Sequence, residues 1–211
     1  IWDYICILLS IILVCLIIII ISKINPFGII GLGLSIWIIL SSIIQIYKKN
    51  FFYKIKKTNL IKRIQANSGL ISHIGVGILI LGITVSSVWQ KELIKNIRIG
   101  DELIINNYSL KFTNLKEAQE KNYITIKGKF IVNKQGVEIG KIIAEKRYYP
   151  ISKIITSEAG ILHQFQRDIY IVLGESINDR WLVKIYFNPF VSFIWLGSII
   201  MVFGGFLSLK K

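Results

Sequence analysis

The sequence predicts a membrane protein with four transmembrane α-helices and an antiparallel β-rich extracytoplasmic domain inserted between helices three and four. Three observations support this fold class. Of the 211 residues, 53% are hydrophobic and only 18% are charged, which is too apolar for a soluble domain of this length. Several long segments contain no Asp, Glu, Lys or Arg, and the stretch before the last of them alternates apolar with polar residues.

The uncharged segments are each long enough to cross a bilayer. They lie between Asp3 and Lys23, Lys23 and Lys48, Arg63 and Lys91, and Lys184 and Lys210. Each can hold the roughly 20 apolar residues that span about 30 Å of hydrocarbon as a helix. We therefore expect three helices within residues 1–89, at about 4–22, 27–47 and 68–89, and a fourth helix with a basic tail within 189–211.

Basic residues are concentrated between the second and third predicted helices. Residues 48–67 hold seven Lys or Arg and no Asp or Glu, whereas Lys91 to Lys184 hold 16 basic and 11 acidic residues. A short basic loop marks the cytoplasmic or matrix side of a membrane. Residues 90–188 are then on the opposite side, and the net charge of +14 indicates membrane orientation, not nucleic-acid binding.

The inserted segment, residues 90–188, has the pattern of half-buried strands. Runs such as Tyr123-Ile-Thr-Ile-Lys-Gly-Lys-Phe-Ile-Val and Trp181-Leu-Val-Lys-Ile-Tyr-Phe place aromatic or β-branched residues at alternate positions. Asn106-Asn107, Gln135-Gly136 and Asn178-Asp179 indicate turns between strands. We expect an antiparallel sandwich or small barrel of about six to eight strands.

His73 is the one histidine or charged residue within the predicted spans. Such residues are functional candidates, because an unpaired polar group in hydrocarbon costs several kcal/mol. Gly69 and Gly77 lie four residues before and after it, on the same helix face. A bare face would let a flat porphyrin approach while the imidazole binds its iron. A small-residue face that packs on another helix explains the same spacing, so both interpretations stay open.

The remaining candidates lie in the β-rich domain. His163 could meet haem or a thiol, although a solvated surface position is the simpler interpretation. Arg147 and Arg167 are candidates for binding a propionate or a partner carboxylate, since guanidinium binds carboxylates through two hydrogen bonds. Pairing of Arg167 with a carboxylate of the same domain is the alternative.

Six motifs carry a family resemblance that extends from about Gly69 to Lys211. They are Ser72-His-Ile-Gly-Val-Gly-Ile-Leu-Ile-Leu-Gly, Ile99-Gly-Asp, Glu145-Lys-Arg-Tyr-Tyr-Pro, Ser157-Glu-Ala, Arg167-Asp-Ile-Tyr-Ile-Val-Leu-Gly-Glu and Asn188-Pro-Phe-Val-Ser-Phe-Ile-Trp-Leu-Gly. In this order they resemble the carboxy-terminal third of the CcmF family, the large membrane subunits of the cytochrome c haem lyase. The resemblance implies a bacterial or mitochondrial inner-membrane protein that supports covalent attachment of haem to apocytochrome c.

By that resemblance His73 matches the family histidine that ligates a transmembrane haem b, which reduces the delivered haem. The family's tryptophan-rich haem-presenting motif and its external histidines lie in the amino-terminal part and have no counterpart in this sequence. The chain is therefore expected to be a fragment or a split-gene product that is not self-sufficient as an enzyme. The missing amino-terminal part would supply the second axial ligand.

The resemblance also implies partners. These are the amino-terminal portion or split partner, other cytochrome c maturation subunits, a haem chaperone and apocytochrome c. The alternative function is a non-catalytic membrane-anchored scaffold that binds apocytochrome c or a haem chaperone, in which His73 is purely structural. A reduced-minus-oxidised spectrum with a b-type band would favour the redox function over the scaffold.

The predicted topology can be tested with single cysteines. We expect cysteines at Thr58 and Gln135 to react with a membrane-impermeant reagent from opposite sides, because the basic segment fixes the orientation of both. Labelling is measured on intact and on inverted membranes. Reaction of both cysteines from the same side would contradict the topology.

Overall fold

A computed structural model describes residues 5, 8, 9, 11, 12, 15 and 16 and the ranges 25–52, 60–105 and 107–209. The chain divides into two compact units, one of Ile1–Trp89 with Pro189–Lys211 and one of Gln90–Asn188. The described helices of the first unit are α1 (Pro26–Phe52), α2 (Leu60–Ala66), α3 (Ser68–Val88) and α4 (Val191–Leu209).

Three of the described helices, α1, α3 and α4, are long and apolar enough to cross a membrane. The first predicted span, residues 4–22, lies largely outside the described residues, so the number of four spans stays a prediction. The basic segment at 48–67 is partly helical, because α1 continues to Phe52 and α2 begins at Leu60.

The backbones of α3 and α4 are in direct contact. A Cβ atom built on Gly75 would lie 2.6 Å from the backbone nitrogen of Met201 and 2.7 Å from the carbonyl oxygen of Gly197. The Ser72 hydroxyl donates a hydrogen bond of 3.1 Å to the Met201 carbonyl across the same contact. Small residues allow membrane helices to approach this closely, and van der Waals packing then holds the pair together.

A different face of α3 packs against α1. A Cβ atom on Gly77 would lie 2.6 Å from the Cγ1 atom of Ile39. At the end of this contact the buried Asn67 side chain donates to Asn50 at 3.2 Å and to the Arg63 carbonyl at 2.9 Å. These bonds join the last part of α1, the short α2 and the start of α3.

The second unit is built from nine described strands in two sheets. The strands are β1 (Lys91–Ile97), β2 (Glu102–Ile105), β3 (Tyr108–Gln119), β4 (Ile124–Lys134), β5 (Val137–Tyr149), β6 (Ile154–Glu158), β7 (Gly160–Leu162), β8 (Arg167–Ile177) and β9 (Arg180–Pro189). One sheet has the order β1-β9-β8-β7 and the other the order β2-β3-β4-β5-β6. The number exceeds the expected six to eight because β2 and β7 are edge strands of only four and three residues.

Two of the predicted turns are confirmed by backbone angles. Gln135 and Gly136 have φ angles of 51° and 82°, and Asn178 and Asp179 have φ angles of 51° and 62°. Positive φ at both central residues is the geometry of a tight hairpin turn whose twist matches its strands. Asn106, in the third predicted turn, lies outside the described residues.

The sandwich core confirms the alternating pattern read from the sequence. On β8 the side chains of Ile169, Ile171 and Leu173 are fully buried. Phe112 and Phe130 stack with ring centroids 4.7 Å apart. The predicted antiparallel β-rich domain is thus a sandwich of two sheets and not a closed barrel.

Adjacent glycines of α4 allow a matched test of the helix contact. A Cβ atom on Gly204 would lie 2.7 Å from the Ser72 backbone nitrogen and 2.8 Å from the Ser68 carbonyl oxygen, whereas one on Gly205 meets nothing within 4 Å. We expect Gly204→Ala to lower the thermal unfolding midpoint in detergent, since overpacking costs about 1–3 kcal/mol. Gly205→Ala should leave the midpoint unchanged or raise it. Equal midpoints for the two variants would contradict the packing assignment.

Candidate functional site

His73 lies near the start of α3 with an exposed side chain. Its Nδ1 atom is 2.7 Å from the carbonyl oxygen of Gly69, one turn earlier in the helix. Because a carbonyl oxygen only accepts hydrogen bonds, Nδ1 carries a hydrogen, and in the neutral imidazole Nε2 then keeps its lone pair. The helix itself therefore supplies the partner that selects the ligand-competent form of this imidazole.

The direction of His73 follows from the contact between α3 and α4. Gly75 touches the α4 backbone and follows His73 by two residues, which is about 200° around a helix. His73 therefore projects from roughly the opposite face. Ser72, the adjacent residue, is engaged with the Met201 carbonyl and does not serve the imidazole.

The two glycines that sequence spacing groups with His73 differ in their surroundings. A Cβ atom on Gly69 would meet nothing within 4 Å, while one on Gly77 would clash with Ile39 of α1. Gly77 thus has a packing role within this chain. The glycines of α3 are Gly69, Gly75, Gly77 and Gly82. A described neighbour leaves no room for a side chain at three of them, and Gly69 is the exception.

Arg147 is held by carboxylates of its own domain. Its Nε atom is 3.0 Å from Glu145 and its Nη1 atom is 3.9 Å from Glu158, and the guanidinium lies 4.8 Å from the centre of the Tyr123 ring. Burial raises the pKa of the Glu145 carboxyl, but the hydrogen bond from Arg147 and the charges of Lys127 and Arg147 outweigh it and lower that pKa overall. The same hydrogen bond raises the pKa of Arg147. The domain carboxylates thus occupy Arg147.

Arg167 has a different environment. It lies over the rings of Tyr108 and Phe187, at 5.6 and 5.9 Å, and no carboxylate pairs with it among the described residues. Lys134 lies 5.7 Å from the same Tyr108 ring. A cleft of about 520 Å³ is lined by Asn107, Tyr108, Lys134, Gln164, Phe165, Gln166 and Arg167. This cleft joins two cations with aromatic and amide side chains and has no acidic residue in its lining.

His163 is paired with a buried carboxylate that the sequence does not single out. Its Nδ1 atom is 2.9 Å from Asp168, and the side chains of His163 and Asp168 are 72% and 4% exposed. The second Asp168 oxygen accepts the Gln164 backbone N–H at 3.3 Å. His163 directly follows β7 and Asp168 is the second residue of β8, so the pair spans the connection between these two strands.

Among the residues that the structure describes, no three His, Cys, Asp or Glu side chains lie close enough together to hold a metal ion. In this respect the two histidines differ from a structural zinc or calcium centre.

The described residues combine helices apolar enough to cross a membrane with an antiparallel β-sandwich, which is the architecture of a membrane protein with a folded β domain. Residues 88–189 match the family model described as the CcmF C-terminal beta-sandwich. This match confirms the resemblance seen in the motifs. The chain belongs to the CcmF family and corresponds to its carboxy-terminal region.

Similar proteins agree with this placement. The cytochrome c-type biogenesis protein CcmF of Haemophilus influenzae is 28% identical over 193 residues, which are 88% of this chain and 29% of that protein. CcmF of Pseudomonas aeruginosa is 34% identical over 139 residues, 65% of this chain and 21% of that protein. A solved cytochrome c heme lyase CcmF shares the fold with a TM-score of 0.73 and 14% identity over 98% of this chain and 34% of that one. The chain spans less than a third of the length of the Haemophilus influenzae and Pseudomonas aeruginosa proteins.

The Glu145–Arg147 pair predicts acid sensitivity of the sandwich. Because the pKa of Glu145 is lowered from 4.5 on folding, its ionised form stabilises the fold above that pH and the contribution disappears as pH falls through the lower, folded pKa. We expect Glu145→Gln to lower the thermal unfolding midpoint at about pH 7. At about pH 3 the midpoint of this variant should approach that of the parent protein. Circular dichroism in detergent measures both. A difference that does not change with pH would contradict the assignment.

Proposed function

We propose that this chain is the carboxy-terminal part of a cytochrome c haem lyase, supports covalent attachment of haem to apocytochrome c, and provides His73 as an axial ligand of a transmembrane haem b. The relatives named as cytochrome c-type biogenesis proteins support the general role. The observation that carries the specific role is the exposed His73 imidazole beside the open position of Gly69 on α3.

The residues present fit one side of a haem. An axial ligand must be a neutral imidazole with a free ring nitrogen, and the Gly69 carbonyl holds Nδ1–H so that Nε2 is that nitrogen. A planar macrocycle needs a helix surface without side chains next to the ligand, and Gly69 offers this. Packing within the chain explains the glycines that face α1 and α4, and it does not explain Gly69.

The helices contribute rigidity as well as the ligand. The backbone contact between Gly75 and α4 fixes the rotation of α3 and therefore the direction of His73. When bound, haem b would supply a one-electron carrier that keeps the delivered haem reduced, the state that thioether formation requires. The second axial ligand would come from the remaining part of a CcmF protein, which this chain does not include.

The sandwich has its own place in this proposal. With residues 48–67 on the cytoplasmic or matrix side, the sandwich faces the periplasm or intermembrane space, where apocytochrome c and a haem chaperone are met. Arg167, which no described carboxylate neutralises, is the better of the two arginine candidates for contact with a propionate or an acidic partner. Arg147 is left as a stabilising residue of the sandwich.

Replacement of the ligand tests the haem b assignment. In the chain assembled with the remaining CcmF segment, we expect His73→Ala to abolish the b-type band of the reduced-minus-oxidised spectrum, because alanine offers the iron no bond. Membrane insertion should persist, since the span becomes more apolar. Added imidazole should restore the band by occupying the space vacated by the side chain. A normal band at normal yield in His73→Ala would leave the scaffold function as the better one.

Two further variants separate ligation from packing. Gly69→Leu fills space that no described neighbour occupies, so it should lower haem content without lowering the unfolding midpoint. Ser72→Ala is the control on the neighbouring residue, which contacts α4, and it should keep the band. Gly77→Leu does not discriminate, because it clashes with Ile39 whether or not haem is bound.

A further inference from the structure

The pair of His163 and Asp168 is built unlike an ordinary surface histidine. Burying a carboxylate is costly unless it is hydrogen-bonded. Asp168 meets this cost with the His163 ring and the Gln164 backbone N–H, and no Lys or Arg pairs with it among the described residues. Burial and the nearby Asp168 charge both raise the pKa of the Tyr170 hydroxyl.

The geometry determines which nitrogen of His163 is available. The Asp168 carboxylate accepts the Nδ1 hydrogen at 2.9 Å, so in the neutral imidazole Nε2 keeps its lone pair, on a side chain that is 72% exposed. Histidines that bind metals almost always donate their other ring N–H to such a partner, which orients the ring and makes it a stronger ligand. This is the same arrangement that the Gly69 carbonyl gives to His73.

Two chemical roles suit such an imidazole, and its surroundings favour one. A general base needs a cleft that holds the proton donor in place. The cleft nearest in sequence is lined by Gln164 to Arg167 but not by His163 itself. An axial bond to the iron of a porphyrin needs a protruding imidazole with room for a wide planar molecule, which the large exposure of His163 provides.

The segment that follows His163 complements a porphyrin in charge and shape. Arg167 and Lys134 line the neighbouring cleft, and both lie against the Tyr108 ring without a carboxylate partner among the described residues. The Phe165 side chain is 67% exposed. Haem carries two propionates on a flat apolar body, the chemistry that guanidinium, ammonium and aromatic groups bind.

We propose that His163, oriented by Asp168, is a second haem-iron ligand of this chain, presented by the sandwich to haem that arrives in solution or on a carrier protein. The inference rests on the proposed haem-lyase function and adds to it a contact outside the membrane. It assigns Asp168 as the residue that positions the ligand, with Arg167 and Lys134 as contacts for propionates.

The test uses the fact that the chain has two histidines. In the full chain carrying His73→Ala, His163 is the one imidazole that remains, so the outcome is independent of the haem b assignment. Ferric protoporphyrin IX is titrated into this protein in detergent, and the Soret band reports imidazole ligation. We expect a stoichiometric ligated species, absent when His163→Ala is added.

Two matched variants identify the roles of the neighbours. Asp168→Asn keeps the shape of the side chain but removes its charge, and loss of such a partner typically weakens metal binding about 10–100-fold. Arg167→Gln should weaken the binding of the iron porphyrin and of metal-free protoporphyrin IX alike, because both carry the propionates that Arg167 is proposed to contact. His163→Ala should weaken the binding of the iron porphyrin alone, because the metal-free form has no iron for the imidazole to bind.

Three outcomes would overturn the inference. The first is that ferric protoporphyrin binds equally well with and without His163, and the second is that metal-free protoporphyrin binds as tightly as the iron form. The third is that the His73→Ala chain forms no ligated species. His163→Ala removes a largely exposed side chain, so loss of folding would not explain a loss of binding. For Asp168→Asn the circular dichroism spectrum is recorded on the same samples to verify that the sandwich is intact.

Discussion

The backbone contact between α3 and α4 is the constraint on which the helical unit depends. Inside a membrane apolar surface gains nothing by leaving lipid, so two helices stay paired only where their backbones approach closely enough for dispersion and hydrogen bonds to act. Gly75, Gly197 and Gly204 allow that approach, and Ser72 adds a hydrogen bond to it. In the chain α3 is followed by β1, and β9 is followed by α4. The two helices pack against each other in one unit, and the two strands are neighbours in one sheet of the other unit.

This constraint also assigns the faces of α3. One face is occupied by α4 through Gly75, and another by α1 through Gly77. A helix has few positions left after two neighbours have packed on it, and His73 with Gly69 occupies one of them. A polar side chain there is costly in lipid. The proposed haem would cover this position.

The sequence predicted what depends on hydrophobic periodicity and missed what depends on tertiary neighbours. Apolar helices and an antiparallel β-rich domain are confirmed, because continuous and alternating patterns report burial directly. Spacing grouped Gly77 with Gly69, and chemistry grouped Arg147 with Arg167, yet each pair divides once the neighbours are known. Ile39, which decides the first case, is far from Gly77 in sequence, and no spacing along the chain reports that contact. Glu145 is only two residues from Arg147, on the same face of β5, but residue type alone does not tell which of the two arginines is paired.

Asp168, which no sequence pattern singles out, gives His163 a feature that it shares with His73. In both, Nδ1 is bonded to an oxygen of the chain, a helix carbonyl for His73 and a buried carboxylate for His163, and both side chains are exposed. A histidine kept for packing would bury its ring, and one kept for solubility would need no oriented partner. A single bond to the iron of a haem, proposed above for each histidine, would account for both features. The partner of His163 is a carboxylate, whereas the neutral carbonyl that holds His73 adds no charge to a helix apolar enough to lie in lipid, where a buried charge would be costly.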